Sequence, residues 1–449
     1  MITRHDMKNW LTWLLRIATG ATFIVSGFVK AIDPWGTLYK LQDYMAAMNL
    51  PDYPNLLLVG AFILFGYEFC IGIFLTAGCF RRSAPVCAML FMAVMMPLTL
   101  WIAIWNPVAD CGCFGDAFLL SNWATFWKNV ALTLAIAWLI IYNRRLPWMV
   151  RPHLQWIALI ASAAFVIWIG LCGYIYQPLI DFRPYPKGSG LIAEEESAES
   201  DDEIMLVYEH EGITDTFSID DDLPDEDQGW QFVERIVPSP KESGRGDSTT
   251  EEERGNESTF RIWSDDGEND VTDDVLTSEG RQLILLMPDI KNVSAATTWQ
   301  INSLYTWAGE NDIDMIGVAC GSRDEISDWK DLSLAAYPLY TAEDTEIKMV
   351  ARGNPAVVYI ENGKIIWKTT LRAPGTEDFL SPSASGDPSE YARNDMALLY
   401  NSTALYLIVM ILLTALSYVT VIGRMFPHRL SRDDKEGRAG STPRDTPAQ

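Results

Sequence analysis

The sequence predicts a mixed fold: a polytopic α-helical membrane bundle joined to an extracytoplasmic α/β domain. Three observations predict it. Apolar runs of the roughly 20 residues that a bilayer crossing needs recur six times. Lys and Arg cluster at alternate ends of those runs. The stretch between the fifth and sixth runs is long enough to fold by itself, and it closes on alternating strand and helix patterns. Charge is just as unevenly spread. Residues 194–280 hold 30 Asp and Glu against 5 Lys and Arg, which equals the formal net charge of the whole chain, −25. A wholly soluble protein is excluded. A nucleic-acid binder is excluded too, because phosphate recognition needs a basic face and the basic clusters lie only at the ends of apolar segments.

The six spans fall at about 11–32, 56–79, 84–105, 122–142, 154–176 and 397–423. The first is the least apolar, carrying Arg16, Thr19, Thr22, Ser26 and Lys30, but no small-x-small cleavage site follows it. It reads as a retained helix. Arg4 and Lys8, Arg81 and Arg82, Arg144, Arg145 and Arg151, and Arg424, Arg429 and Arg432 all fall on one side when six helices alternate. The positive-inside bias makes that side cytoplasmic. Both termini are then cytoplasmic in a bacterial inner membrane, and about 177–396 is extracytoplasmic. The expected plan is a membrane domain at 1–180, an acidic and partly disordered segment at 181–257, an α/β domain at 258–373, a linker at 374–396, the last span, and a disordered tail at 424–449.

Inside the α/β stretch, Phe260 to Trp263 and Asp270 to Thr272 flank an Asp266-Gly267 turn and read as a hairpin. Gln282 to Met287 is a buried strand, Ala295 to Glu310 an amphipathic helix, and Met315 to Ala319 a second strand. Ala356 to Ile360, Glu361-Asn362-Gly363 and Lys364 to Trp367 give a second hairpin. This order, with Asn354-Pro355 before the third strand, resembles the thioredoxin fold. The resemblance implies a cis-proline at Pro355 beside the active site. Where that family carries Cys-x-x-Cys, this chain reads Pro288-Asp289-Ile290-Lys291-Asn292. Cys320, alone at the end of the second strand, reads as a small buried residue.

In the membrane part, Ser26-Gly27-Phe28-Val29-Lys30-Ala31-Ile32-Asp33-Pro34, Glu68, Gly78-Cys79-Phe80-Arg81-Arg82 and Asp110-Cys111-Gly112-Cys113-Phe114-Gly115 follow one another. The set resembles the MauE branch of the DoxX-like membrane proteins over about 10–145. The resemblance implies a four-helix membrane core and, through MauE's link to methylamine utilisation, a part in maturing an exported protein whose disulfides must form.

A Cys-x-Cys disulfide closes a small strained ring, and strain makes a disulfide more oxidising. Cys111 and Cys113 are therefore a candidate redox pair. A structural disulfide is the alternative, and metal ligation stands third because a closed site wants about four ligands. No metal is assigned. Cys70, Cys79, Cys87 and Cys172 read as apolar fillers. Glu68, mid-helix, is either functional or a hydrogen-bonded packing contact. Lys30 and Asp33 read as an interfacial anchor and a cap. The leading function is redox maturation of exported proteins by a membrane thiol–disulfide oxidoreductase acting through Cys111, Cys113 and Glu68, with electrons passing to a membrane quinone. A non-catalytic scaffold that binds a partner protein is the alternative. Small-solute transport through Glu68 stands last, since no transporter-type repeat is present.

Overall fold

The computed structural model describes residues 4–108, 111–118, 120–142, 149–191, 205–210, 213–218, 231–236, 260–265, 267–276, 279–371, 373 and 388–425. Helix α1 (Arg4–Ile32) is followed at once by the shorter α2 (Pro34–Ala47), then α3 (Pro54–Ala77), α4 (Ser83–Trp105), α5 (Asn122–Tyr142) and α6 (Gln155–Ile175). The reading of the sequence did not foresee α2, although its start is encoded locally. The Gly36 N–H donates to Asp33 Oδ1 at 2.9 Å, and Pro34 takes the first helical position, where no N–H is needed.

Strands β1 (Met205–His210), β2 (Ile213–Ser218) and β3 (Gln231–Ile236) form an antiparallel sheet in the order β2-β1-β3. The acidic segment expected to be partly disordered therefore contains regular strands. They fall on its aromatic and β-branched islands, residues that favour a pleated backbone.

A short helix α7 (Thr272–Val275) precedes β4 (Arg281–Met287), α8 (Thr298–Glu310), β5 (Asp314–Ala319), α9 (Arg323–Ser333), β6 (Leu339–Thr341), α10 (Asp344–Val350), β7 (Ala356–Glu361) and β8 (Lys364–Thr370). Sheet order is β6-β5-β4-β7-β8, with β4 parallel to β5 and β5 parallel to β6. Residues 283–287 of β4 are wholly buried, as a continuous apolar run in a parallel sheet requires. The α/β domain thus has a thioredoxin-like strand arrangement. The hairpin expected over 260–272 is reduced to isolated bridges from Trp263 to Asp270 and to Thr341, because Thr272 starts α7 instead of extending a strand. Its Asp266, together with Arg144, Arg145 and residues 426–449, lies outside the described residues.

The chain ends in α11 (Asp395–Met425). Among the described residues six helices are long and apolar enough to cross a membrane: Lys8–Ile32, Pro54–Ala77, Ser83–Trp105, Asn122–Tyr142, Gln155–Ile175 and Asp395–Tyr418. These are the six expected spans. The chain forms two compact units: Met1–Pro186 with Ala351–Val357 and Trp367–Gln449, and Lys187–Val350 with Val358–Ile366.

In the first unit α1 and α3 touch backbone to backbone. A Cβ on Gly27 would stand 2.5 Å from Phe69 N, and one on Gly72 would stand 2.5 Å from Ile24 N. Small residues permit this approach where lipid offers no hydrophobic drive between helices. At the far end of the pair Arg16, fully buried, donates from Nε to Leu75 O at 2.6 Å and from a terminal nitrogen to Thr76 O at 3.1 Å. It satisfies carbonyls that the end of α3 leaves open. Gly78, at φ +66°, makes room for it, since a Cβ there would lie 2.0 Å from the guanidinium.

Candidate functional site

The site begins where α4 stops. Asn106 adopts φ +50° and ends the helix, and the chain then turns through Cys111-Gly112-Cys113-Phe114-Gly115. Gly112 and Gly115 hold φ of +62° and +54°, conformations that side-chain-bearing residues adopt at a cost. Gly115 N–H donates to Gly112 O at 3.1 Å and closes the turn. This reversal sets the Cys111 and Cys113 sulfurs 3.1 Å apart. Both are free thiols, 6% and 9% exposed. Helix α2 covers one side of the loop: Tyr44 Oη donates to Cys111 O at 2.5 Å, and the Lys40 stem packs on Gly112.

Behind the loop lies a buried charge pair. Lys30 Nζ donates to Glu68 Oε1 at 2.9 Å and to Oε2 at 2.8 Å, with both side chains almost fully buried. An ionisable group in mid-membrane costs roughly 2.5–3.5 kcal/mol when left alone, and a partner of opposite sign offsets that cost. Lys30 is therefore not the interfacial anchor expected from its place near a helix end. The close crossing of α1 and α3 turns it toward Glu68. Ser26 Oγ lies 2.8 Å from Glu68 Oε2 and 2.7 Å from Cys113 O, and it accepts from Lys30 Nζ at 2.9 Å. One hydroxyl thus links the carboxylate to the cysteine turn.

The two sulfurs are not equivalent. Either thiol can donate to the other, but the surroundings favour the proton on Cys111. A hydrogen bond from Cys111 holds the Cys113 thiol below the usual cysteine range. Burial opposes the fall, and the nearby ammonium groups of Lys128 and Lys30 assist it. Cys111 is raised, first by that same hydrogen bond and then by burial. Cys113 also lines a cleft among α1, α3, α4 and α5 that Ser26, Glu68, Lys128 and Asn129 share with Phe91, Met92, Met95, Phe114 and Leu132. Lys128 Nζ stands 4.3 Å from the centre of the Phe114 ring. A low thiol beside cations is the environment in which cysteine reacts.

Segment 351–357 of the first unit fixes the end of the cysteine loop. Arg352 Nε donates to Asp33 Oδ2 at 2.9 Å, and a terminal nitrogen donates to Asp116 Oδ2 at 2.5 Å. Gln177 accepts the Arg352 N–H at 2.9 Å and donates to its carbonyl at 2.6 Å. Burial alone would lower the guanidinium, but Asp33 and Asp116 outweigh it and hold it above its ordinary value. Asp116 lies three residues beyond Cys113, so this fork–carboxylate contact restrains the turn.

Residues 8–142 match the family model described as methylamine utilisation protein MauE. They form a MauE-like segment. The match takes in every residue of the site named above except Gln177 and segment 351–357. No curated protein matches the chain. Among solved structures, the solution structure of a "putative protein disulfide isomerase from Bacteroides thetaiotaomicron" is similar over 26% of this chain and 77% of that one, at 19% identity and a TM-score of 0.21.

Of the residues singled out from sequence, the structure gathers Cys111, Cys113 and Glu68 about Ser26. Pro355 follows a cis peptide bond, three residues after Arg352. Sequence reading missed Ser26 and Lys30 as Glu68 partners, and Lys128 and Arg352 altogether. Two opposite charges in neighbouring spans were the available signal for the Lys30–Glu68 pair. Arg352 lies 319 residues from Asp33 and left no local signal.

Proposed function

We propose that this multi-pass membrane protein is a thiol–disulfide oxidoreductase that serves the maturation of exported proteins, with Cys113 as the reacting thiol and Cys111 as its resolving neighbour. The observation that carries this reading is the turn itself: two sulfurs 3.1 Å apart, with Cys113 beside two lysines. The alternating basic clusters support an extracytoplasmic position for the turn, on the side where disulfides persist. A partner thiolate attacks Cys113 of the oxidised pair and releases Cys111. The partner's second thiol then attacks the mixed disulfide and expels Cys113 as a stabilised thiolate. The partner leaves oxidised and the pair leaves as a dithiol, with two electrons and two protons gained. Glu68, Lys30 and Ser26 hold the turn in register through the Cys113 carbonyl. The α/β domain, which has Ile290 and Lys291 where a thioredoxin-type thiol would stand, serves partner binding.

The test is adduct trapping in cells. Cys111→Ser should accumulate mixed disulfides, because the Cys113 thiolate attacks a disulfide of an exported protein and releases one of its sulfurs as a thiolate, and no neighbouring thiol remains to free the adduct. Cys113→Ser should form none. If neither variant forms adducts and the double Ser variant keeps full function and abundance, the protein acts as a scaffold.

A further inference from the structure

Attack on Cys113 of the oxidised pair makes Cys111 the leaving group. Cys111 then departs as an anion in a place where the residue is only 6% exposed. Burial resists that anion, and Lys128, which assists Cys113, acts only weakly on Cys111. A poor leaving thiolate slows disulfide exchange, so the step calls for a donor to the departing sulfur. Tyr44 supplies one. Its hydroxyl reaches two acceptors on the same residue, the Cys111 carbonyl at 2.5 Å and the Cys111 sulfur. Helix α2 aims it. Trp35 and Leu38 are buried near the start of the helix, and Trp35 Nε1 donates to Tyr174 O at 3.0 Å. Lys40 and Tyr44, one turn apart, then lie on the face that meets Gly112 and Cys111. The Tyr44 ring packs on the apolar cluster of Ile102, Cys111 and Cys113, which fixes its approach.

We infer that Tyr44 is a further catalytic residue of the exchange, whose hydroxyl turns from the Cys111 carbonyl to the Cys111 sulfur as that sulfur departs; this rests on the exchange reading above. The step balances. The partner thiolate forms a bond to Cys113 Sγ, the Cys111–Cys113 bond breaks, and its electron pair goes to Cys111, which Tyr44 holds as a thiolate. The partner's second thiol then attacks the mixed disulfide, its proton passes to Cys111, and Cys113 leaves as a thiolate. One thiol and one thiolate enter on the partner, and one of each remain on the pair. Tyr44 ends as it began, its hydroxyl back on the Cys111 carbonyl. The two sulfurs are thus served separately, Cys113 by the lysines and Cys111 by a phenol.

The experiment uses the full chain in phosphatidylcholine nanodiscs, oxidised with diamide and then offered dithiothreitol, with the return of the Cys111 and Cys113 thiols followed by maleimide labelling and mass spectrometry. Tyr44→Phe keeps the ring and removes the hydroxyl, and it should slow that return about tenfold or more. A loosened turn would disturb both sulfurs, so a second readout separates them. Alkylation of Cys111 in Cys113→Ser should move to higher pH when Tyr44→Phe is added, whereas alkylation of Cys113 in Cys111→Ser should keep its profile. Cys113 and Lys128 also act on the Cys111 sulfur, and within each comparison both are the same with and without the tyrosine hydroxyl. If Tyr44→Phe does not fold, 3-fluorotyrosine at position 44, a stronger donor of nearly the same size, should speed the reduction at a pH below its own ionisation. A parallel arm offers the diamide-oxidised wild-type protein a reduced dithiol protein. If the disulfide passes to that protein but neither change at position 44 alters the rate or the Cys111 profile, the inference is overturned and the exchange reading stands. Equal shifts at both sulfurs overturn it as well, since the tyrosine then only braces the turn. If the wild-type pair passes no disulfide, the exchange reading fails and takes this inference with it.

Discussion

Two loops in this chain, one after β4 and one after α4, end a regular element and turn sharply, and only one carries thiols. After β4, Pro288-Asp289-Ile290-Lys291-Asn292 turns through a short 3-10 segment, with Asp289 accepting from Asn292 N–H and Lys291 paired to Glu325 at 2.6 Å in solvent. The neighbouring Cys320 is half-buried, and burial first of all raises its thiol. After α4, Cys111-Gly112-Cys113 turns with both sulfurs buried, two lysines near Cys113, and a carboxylate network behind it. The difference teaches that a thioredoxin-like strand arrangement and thiol chemistry are separable. The sheet needs apolar strands and a tight crossing, which this sequence keeps. A reactive thiol needs a neighbour that donates to it and a cation that stabilises its anion.

The sharpest way to break this contrast is to remove thiols from each loop in turn. Cys113→Ser should abolish disulfide transfer to an exported protein, whereas Cys320→Ser should leave it unchanged, both read by the redox state of the partner in intact cells. Loss of transfer in Cys320→Ser would mean that the α/β domain contributes chemistry after all.

A smaller effect concerns the charge pair. Lys30→Met strands a buried carboxylate and should lower stability by roughly 3–5 kcal/mol, measured as the melting temperature of the detergent-solubilised protein. The double variant Lys30→Met with Glu68→Leu should recover most of that loss, because an apolar pair of similar volume avoids the desolvation of two ions. If the double variant is stable but inactive, the Glu68–Ser26–Cys113 connection serves the chemistry. If it is stable and active, the pair only holds α1 against α3.

The smallest effect is on pH dependence. Alkylation of Cys113 in the reduced protein should begin well below the ordinary cysteine range near pH 8.5, since the thiolate exists above a lowered pKa. Lys128→Met removes one of the charges that assists the lowering, so the alkylation profile should move to higher pH. An unchanged profile would show that Lys128 does not act on the sulfur.

The spans were legible because a bilayer demands long apolar runs, and six such runs are plain in the chain. Glu68 was legible for the complementary reason, that a carboxylate inside a span needs an explanation. Its partner was not, because Lys30 reaches it only where Gly27 and Gly72 let α1 and α3 touch, and that depends on which helices meet. Helix α2 could have been read from Asp33-Pro34, a cap followed by a first-turn proline. The strand β1 was legible in the short apolar run Ile204 to Tyr208, whereas β2 and β3 were obscured by the acidic residues around them, whose charge argued for disorder.

The central claim is that the Cys111–Cys113 turn is a redox centre and not a staple. Its reduction potential, measured by maleimide gel shift of the full chain across graded dithiothreitol buffers, tests this most directly. The account predicts a value more positive than about −270 mV, in the range of exchange catalysts, because the ring is small and the Cys113 thiolate is stabilised. A value below about −300 mV, where inert structural disulfides lie, would contradict it.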